Sequence, residues 1–477
     1  MQLQCVIGLE IHAELKTKSK LFCGCSTAFG APPNTQCCPV CTGMPGALPA
    51  LNQTALIYAI MAGLSLHCEI SRYTRFDRKN YFYPDLPKAY QISQLYAPLC
   101  RNGFLISPLF PKKKIRIREI HLEEDAGKLI HDRSSTESYC DYNRSGVPLI
   151  EIVTEPDFVS GLEASEFIKA LREIFLCLDI CDCKMQEGSL RADINISCRQ
   201  TGSSQLGTRT EIKNLNSLRS VIQAADAEFH RQTALIKKGK SILQETRRWN
   251  ENTGKTESLR VKENTAEYRY FPEPDLPPLC LNENWVTAIK ERLPELPDAR
   301  KEHCLSLGLS EENAASLSAA PDLYSFFLSV VDHNVSARKA AGWILTDVLH
   351  FLRSSKKELL QTCLTPKIAA ELLILMEKGK INREGVRQLT QVLLDKNIDL
   401  QNFIQSHGLA LNNNTVQIND AIETVIAENP KAATDFYNGN SKTIGFFIGQ
   451  TMKLLNGSGD PKLIRRILLQ KLDENLS

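Results

Sequence analysis

The stretch Cys5-Val-Ile-Gly-Leu-Glu-Ile-His-Ala-Glu-Leu15 decides the fold class. Its apolar residues recur at every second position, the period of a β-strand with one buried face. Ile7, Leu9, Ile11, Ala13 and Leu15 share one side, while Val6, Gly8, Glu10, His12 and Glu14 share the other. The first side is expected in a core. Similar alternation marks Lys114–Ile117, Leu149–Glu155 and Arg191–Cys198. The apolar parity shifts between Ile117 and Ile120, which predicts a β-bulge. Strands and glycine- and proline-rich loops continue to about residue 295. Near the end of this part, Tyr270-Phe-Pro-Glu-Pro-Asp-Leu-Pro-Pro278 cannot continue a helix and predicts an extended segment.

From Asn282 onward the period becomes helical. Ala337–Leu352 places Ile344, Val348 and Phe351 on one stripe. Thr365 reads as an N-cap before Pro366, with a helix running to Lys378 and Gly379 as its stop; Asn382 caps the next helix. Ser406–Asn414 is a polar, asparagine-rich loop, and Gly439 and Gly457 break the helical pattern beyond it. The expected class is α+β. A large mixed domain with an antiparallel sheet spans 1–294, an all-α helical domain spans 295–405, and a small helical tail domain spans 406–477.

The composition excludes several function classes. Of 477 residues, 43% are hydrophobic and 23% charged, which excludes a disordered or collagen-like chain. A net charge of +2 excludes coating of nucleic acid by bulk charge but leaves room for local basic patches. No run of about 18 apolar residues occurs, so no membrane partner is expected. The start, Met1-Gln-Leu-Gln-Cys5, lacks a basic segment, and Glu10 interrupts the early apolar run; a cytoplasmic protein is expected. Sixteen cysteines in a reducing compartment read as metal sites, catalytic thiols or buried residues rather than as disulfides.

Charged residues gather on the strand faces. Glu10 and His12 lie two residues apart on one polar face, close enough to share a cation such as Mg²⁺ or Mn²⁺. A solvated outer face would show the same alternation. Glu123-Glu124-Asp125 forms a second cluster, Glu151 and Glu155 a third, and Arg191, Asp193, Asn195 and Ser197 a fourth. Four polar faces mixing Glu, Arg and Asn suit a lined cleft, with carboxylates for a metal and cations for phosphate oxygens. Arg75–Asn80, Thr208–Asn216 and Arg247-Arg248-Trp249 supply cations, the last with an aromatic suited to stacking. Gly254-Lys-Thr256 ends like a P-loop, but Trp249 stands at the first glycine position. No G-x-S-x-G or kinase signature occurs, so any nucleotide site is of an unusual kind.

Cys23-Gly-Cys25 and Cys38-Pro-Val-Cys41 have the spacing of two knuckle turns around a structural Zn²⁺. Cys37 adjoins this set as a competitor, whereas Cys181 and Cys183 read as ordinary cysteines.

Taken together, these motifs resemble one family. They are Val6–His12, Cys38–Gly46, Lys79–Gln91, His121–Lys128, Asp141–Asp157, Gly188–Ile196, Glu211–Asn216 and Tyr268–Pro277. The family is that of the B subunits of the bacterial and organellar aspartyl/glutamyl-tRNA amidotransferases, and the resemblance covers essentially the whole chain. No inserted segment matches the extra domain of the archaeal E-type relatives. The resemblance implies a cradle domain that uses ATP and Mg²⁺ to phosphorylate the side-chain carboxylate of Glu-tRNA(Gln) or Asp-tRNA(Asn). It implies a heterotrimer in which an A-type amidase releases ammonia from glutamine and a small C-type protein ties the other two together. Glu10, His12, Glu124 and Glu151 are then expected around the metals, with Lys79 and Arg191 holding phosphate. Lys442–Lys453 resembles the tail motif that touches tRNA, although Asn440 stands where the family usually has lysine. Two alternatives differ in class. One is an ATP-dependent ligase acting on another carboxylate; the other is a non-catalytic, zinc-containing tRNA-binding subunit.

Overall fold

Strand β1 (Leu3–Glu14) is hydrogen-bonded along both edges in the computed structural model, so its alternation organises everything around it. The structure describes residues 2–131, 137–261, 268–410, 415–437, 443–455 and 459–474. It forms two units, Met1–Leu296 and Pro297–Ser477.

In the first unit β1 is followed by β2 (Glu69–Ile70), β3 (Tyr73–Thr74), β4 (Asp77–Asn80), β5 (Tyr90–Ser93), β6 (Cys100–Ile106), β7 (Lys114–Glu124), β8 (Lys128–His131) and β9 (Ser138–Asp141). Then come β10 (Pro148–Thr154), β11 (Leu190–Gln200), β12 (Thr210–Lys213), β13 (Glu245–Asn250), β14 (Lys255–Val261), β15 (Phe271–Pro272) and β16 (Leu279–Cys280). Nine of them form one sheet in the order β14-β13-β12-β11-β1-β10-β7-β6-β2. Its pairs are antiparallel except β12–β13. A smaller sheet, β15-β4-β5, carries Lys79, and the proline-rich segment supplies its edge strand β15.

One face of the large sheet is apolar. Ile7, Leu9 and Ile11 of β1 are buried with Ile120 and Leu122 of β7, Ile150 and Ile152 of β10, and Leu190, Ile194 and Ile196 of β11. Helices α1 (Gln53–Ser65), α2 (Gly161–Cys177) and α3 (Leu218–Lys237) pack around this core. Close approach of α2 and α3 requires Gly161: a Cβ there would lie 2.8 Å from that of Ala225. The expected bulge is present. Val153 faces Glu119 but Thr154 faces Ile117, so β7 holds one extra residue, Arg118, against β10.

The second unit is helical. Thr365 caps Pro366–Glu377 by accepting from the Ile368 N–H, Gly379 follows at φ +63°, and Asn382 caps Arg383–Asp395. The stripe expected over Ala337–Leu352 is altered by a π-helical turn at Ile344–Val348. The wider turn rotates the following residues, so Ile344, Val348 and Leu352 are buried whereas Phe351 is only half-buried. Two apolar clusters form, one including Phe327, Ile344, Leu372 and Leu389, the other Ile418, Phe447, Ile464 and Leu468. Residues 411–414 of the expected loop, and Gly439, Asn440, Lys442 and Gly457, lie outside the described residues. Among the described residues no single helix is long and apolar enough to cross a membrane.

Ile11 lies between Ile152 and Ala192 in the centre of the sheet and is fully buried. Replacing it with alanine should cost about 2–5 kcal/mol in urea unfolding. A loss under about 1 kcal/mol would show that β1 does not bear on the main core.

Candidate active site

The face of the large sheet opposite the core is polar across five neighbouring strands. Register alone brings the groups together: His12 stands between Glu151 of β10 and Arg191 of β11, Glu10 is opposite Asp193, and Asn195 is opposite Glu211. On β7, His121 is opposite Glu151.

Two ligand groups result. His12, Glu123 and Glu151 each offer an atom within 4.8 Å of the others. His12 Nε2 is 3.8 Å from Glu123 Oε1 and 3.7 Å from Glu151 Oε1. The second group, Glu10, Asp193 and Glu211, meets the same limit. Here Lys213 Nζ lies 2.5 Å from Asp193 and 3.0 Å from Glu211, and Asn195 Nδ2 donates to Glu10 Oε1 at 2.8 Å. Lys213 therefore already compensates part of the second group's charge. The first group, an imidazole with two carboxylates, has the donor chemistry of a divalent-cation site.

Electrostatics favours this reading of the first group. Burial, and then the nearby Arg191 guanidinium, hold His12 below its ordinary value against the pull of Glu123. Its imidazole is therefore neutral and able to ligate at neutral pH. Burial raises the Glu151 carboxyl, and burial followed by the Glu151 charge raises Glu123. A cation would relieve the repulsion that raises Glu123. Behind Glu151, His121 lies 3.7 Å from its Oε2 and 3.3 Å from Glu119.

The structure gathers only some of the expected residues. Glu10, His12 and Glu151 lie on one face, with Glu10 in the neighbouring group. Glu124 does not join them. It shares the parity of Ile120 and Leu122, so it faces the other side of β7, where it pairs with Lys88 and accepts from the Ile92 N–H at 2.9 Å. Glu123 takes the expected place. Counting outward from Ile120 and Leu122, past the predicted bulge, would have found it. Glu211, Asp193 and Lys213 do not emerge as a set from the sequence, although alternation puts Asp193 on a polar face.

Arg191 lies on the polar face but donates to Asp125 Oδ2 at 2.6 Å. Against the cost of burial, Arg191 and Arg144 hold Asp125 below the usual carboxylate range. Glu14 is pushed up to about 8 by burial and by Asp125, so it is protonated at neutral pH and donates to its neighbour. Lys79 Nζ stands 5.2 Å from the Tyr268 ring and 5.8 Å from that of Tyr81. Arg247-Arg248-Trp249 is not a stacking platform: Trp249 belongs to the core, and Arg247 binds Glu245 and Thr256. In an alternating strand the aromatic two residues on from Arg247 takes the core side with it.

Cys23, Cys25, Cys38 and Cys41 form a third group with sulfurs within 4.8 Å of one another. A tetrahedral thiolate site has sulfurs about 3.8 Å apart, so the group can close on a metal with small adjustments. Cys41 Sγ accepts from the Cys38 N–H at 3.2 Å and lies 3.5 Å from Nζ of the buried Lys20. A hydrogen bond from Cys23, with Cys38 and Lys20, lowers the Cys41 thiol to about 4. Cys37 stays outside the group, 3.9 Å from Asn143 Oδ1. Asn143 also donates to the Pro32 carbonyl, and Asp141 accepts from the Asn34 N–H, so this segment fastens the cysteine-bearing loop. Cys181 and Cys183 are buried and belong to no metal group among the described residues.

Comparison with known proteins agrees along the chain. The family model for the GatB/GatE catalytic domain matches residues 5–287, and that for the GatB domain matches residues 325–472. The chain is 46% identical over 479 residues to the B subunit of the aspartyl/glutamyl-tRNA(Asn/Gln) amidotransferase of Caldicellulosiruptor saccharolyticus, covering 99% of this chain and 100% of that one. The protein of the same name from Thermodesulfovibrio yellowstonii is 46% identical, with 99% of this chain and 100% of that one covered.

The parity of β7 separates two adjacent glutamates. Glu123→Gln should weaken Mn²⁺ binding at least about 10-fold, read by paramagnetic titration, while Glu124→Gln leaves it unchanged. The reverse ranking would refute the His12–Glu123–Glu151 assignment.

Proposed function

The chain belongs to the B-subunit family of the aspartyl/glutamyl-tRNA amidotransferases, and on that premise we propose that it activates the side-chain carboxylate of mischarged Glu-tRNA(Gln) or Asp-tRNA(Asn) with ATP and passes it to ammonia. It acts as a ligase with a glutamine-hydrolysing amidase partner and a small third protein, in the cytoplasm, where its tRNA substrates are used. The helical tail, residues 406–477, is its tRNA-binding part. The observation that carries this reading is the meeting of His12, Glu123 and Glu151 with Glu10, Asp193, Glu211 and Lys213 on one sheet face. A pure tRNA-binding module has no need of such a set.

The chemistry asks for this mixture. A carboxylate is a poor electrophile toward ammonia. In the first step its oxygen bonds to the γ-phosphorus of ATP as the bridging P–O bond breaks and ADP leaves. In the second, ammonia nitrogen bonds to the acyl carbon, the C–O bond to phosphate breaks, phosphate leaves and nitrogen loses a proton. Phosphoryl transfer is catalysed mainly by positioning and charge neutralisation. His12, Glu123 and Glu151 would hold a Mg²⁺, which would supply neutralisation of phosphate oxygens. Lys213 fixes Asp193 and Glu211, Arg191 fixes Asp125, and Lys79 brings a cation to the same side, since its charge acts on both Glu123 and Glu151. Cys23, Cys25, Cys38 and Cys41 would hold a structural Zn²⁺, since four thiolates would leave no open position for a substrate.

The test combines this chain with its partner proteins, ATP, Mg²⁺ and Glu-tRNA(Gln) or Asp-tRNA(Asn), with ammonium chloride replacing glutamine. Gln-tRNA or Asn-tRNA should form, and Glu123→Gln should lower the rate at least about 100-fold. No product with either tRNA, while tRNA still binds, would leave a protein that only binds. For the cysteines, purified chain should carry one zinc, lost on Cys38→Ser with Cys41→Ser; undiminished zinc in that variant would refute the assignment.

A further inference from the structure

The loop between β4 and β5 presents two consecutive exposed aromatic side chains. Phe82 is 91% exposed and Tyr83 is 52% exposed. The loop that carries them is fastened on both sides. Tyr81 packs edge-to-face on Tyr268 at 5.9 Å, and Tyr268 on Tyr270 at 6.1 Å. Lys79 covers the first pair. Beyond Tyr83, Tyr142 Oη donates to the Pro84 carbonyl at 2.9 Å, and the Gly127 N–H donates to the Asp85 carbonyl at 2.8 Å. Between Tyr268 and Tyr270, Arg269 adopts φ +43°, a strained value for a non-glycine residue, and its carbonyl accepts from Asn80 Nδ2 at 2.8 Å. The surroundings thus over-determine the tyrosine wall and leave Phe82 projecting from it.

The small sheet that carries this loop touches the first ligand group: β5 pairs with β4, and Ser93 Oγ of β5 donates to Glu123 Oε2 at 2.7 Å. After burial, the charge of Glu123 contributes to raising the phenols of Tyr81 and Tyr270. A single exposed phenylalanine is ordinary on a protein surface. Two adjacent exposed aromatics on an anchored loop, next to a lysine and an arginine, are the components that stack unpaired bases.

We propose that Phe82, with Tyr83 beside it, stacks the terminal adenine of the unpaired 3′ end of the mischarged tRNA and so holds the aminoacyl carboxylate over His12, Glu123 and Glu151. The occupant follows from connectivity. The amino acid is esterified to the ribose of that last nucleotide, so one sugar and one amino acid separate the base from the reacting carboxylate. Phe82 follows Tyr81 and Lys79 on a hairpin whose other strand, β5, reaches Glu123 through Ser93, and Lys79 and Arg269 complement the backbone phosphates. The inference rests on the tRNA-amidation reading and names the residues that would place the substrate in it.

The experiment uses the complete complex with its partner proteins. Binding is measured for intact uncharged tRNA(Gln) and for the same tRNA trimmed of its terminal adenosine, with wild type, Phe82→Ala and Phe82→Trp. Phe82→Ala should weaken binding of intact tRNA about 10-fold and leave binding of trimmed tRNA as in wild type. Phe82→Trp should restore the intact value, and the KM for ATP should not move. Equal loss on both tRNAs, or no loss on either, overturns the proposal. So does a raised KM for ATP with tRNA binding intact, which would assign the loop to the nucleotide. Loss of the partner proteins from the Phe82→Ala chain would make it a protein-docking loop and also overturn it. Wild-type amidation is assayed in parallel: its absence removes the tRNA reading and this inference together, whereas normal amidation without coupling between Phe82 and the adenosine removes this inference alone.

Discussion

Everything at the site depends on the double pairing of β1. A strand hydrogen-bonded along both edges, with one face in the core, cannot slip by one residue without turning Ile7, Leu9 and Ile11 outward. That constraint leaves Glu10 and His12 one orientation. It also fixes their neighbours, because β10 and β11 take their register from β1 and β7 takes its register from β10. The carboxylates are thus gathered by burial of the apolar face rather than by attraction among themselves, since their mutual repulsion would drive them apart. The core stabilises the sheet, and the rigidity it confers is what the opposite face uses.

Gathering like charges has a cost, and the structure shows how it is met. Glu14 keeps its proton beside Asp125, whose charge is balanced by Arg191 and Arg144. Lys213 sits between Asp193 and Glu211. His12, Glu123 and Glu151 lack a cation of this kind at comparable distance among the described residues, and both carboxyls are raised. That group's donor set is the one that suits a divalent ion.

Much of this was legible in the sequence because period two is a strong constraint. The strand faces, the bulge after Ile117, the Thr365 and Asn382 caps and the four-cysteine group all follow from local rules that the structure obeys. What was not legible depended on pairing between distant strands. Nothing near Glu211 says that it faces Asn195 and meets Glu10, and nothing near Trp249 says that β13 buries it. The choice between Glu123 and Glu124 is a different kind of miss. The parity needed to decide it was present in Ile120 and Leu122, but the acidic triplet hides the alternation when read as a cluster. The phase change at the π-turn, which buries Leu352 in place of Phe351, has no local signature at all.

The adjacency of Glu123 and Glu124 then acquires a physical meaning. Consecutive residues on a strand serve opposite faces, so one short acidic stretch can act on two sides of a sheet. Glu123 enters the ligand group. Glu124 binds Lys88 and the Ile92 N–H, and its carbonyl accepts from Gln91 Nε2 at 2.7 Å, which ties β5 to the end of β7. Gln91 is in turn the β5 partner of Lys79 on β4. The strand end that carries Glu123 therefore also anchors the small sheet that carries Lys79 and leads into the Tyr81 loop. The carboxylates on one element and the cation and aromatics on another are held together by several such bonds, among them Ser93 Oγ donating to Glu123 Oε2 at 2.7 Å and the Leu122 N–H donating to Gln94 Oε1 at 3.0 Å. A shift at the end of β7 would move both halves of the site together instead of opening a gap between them.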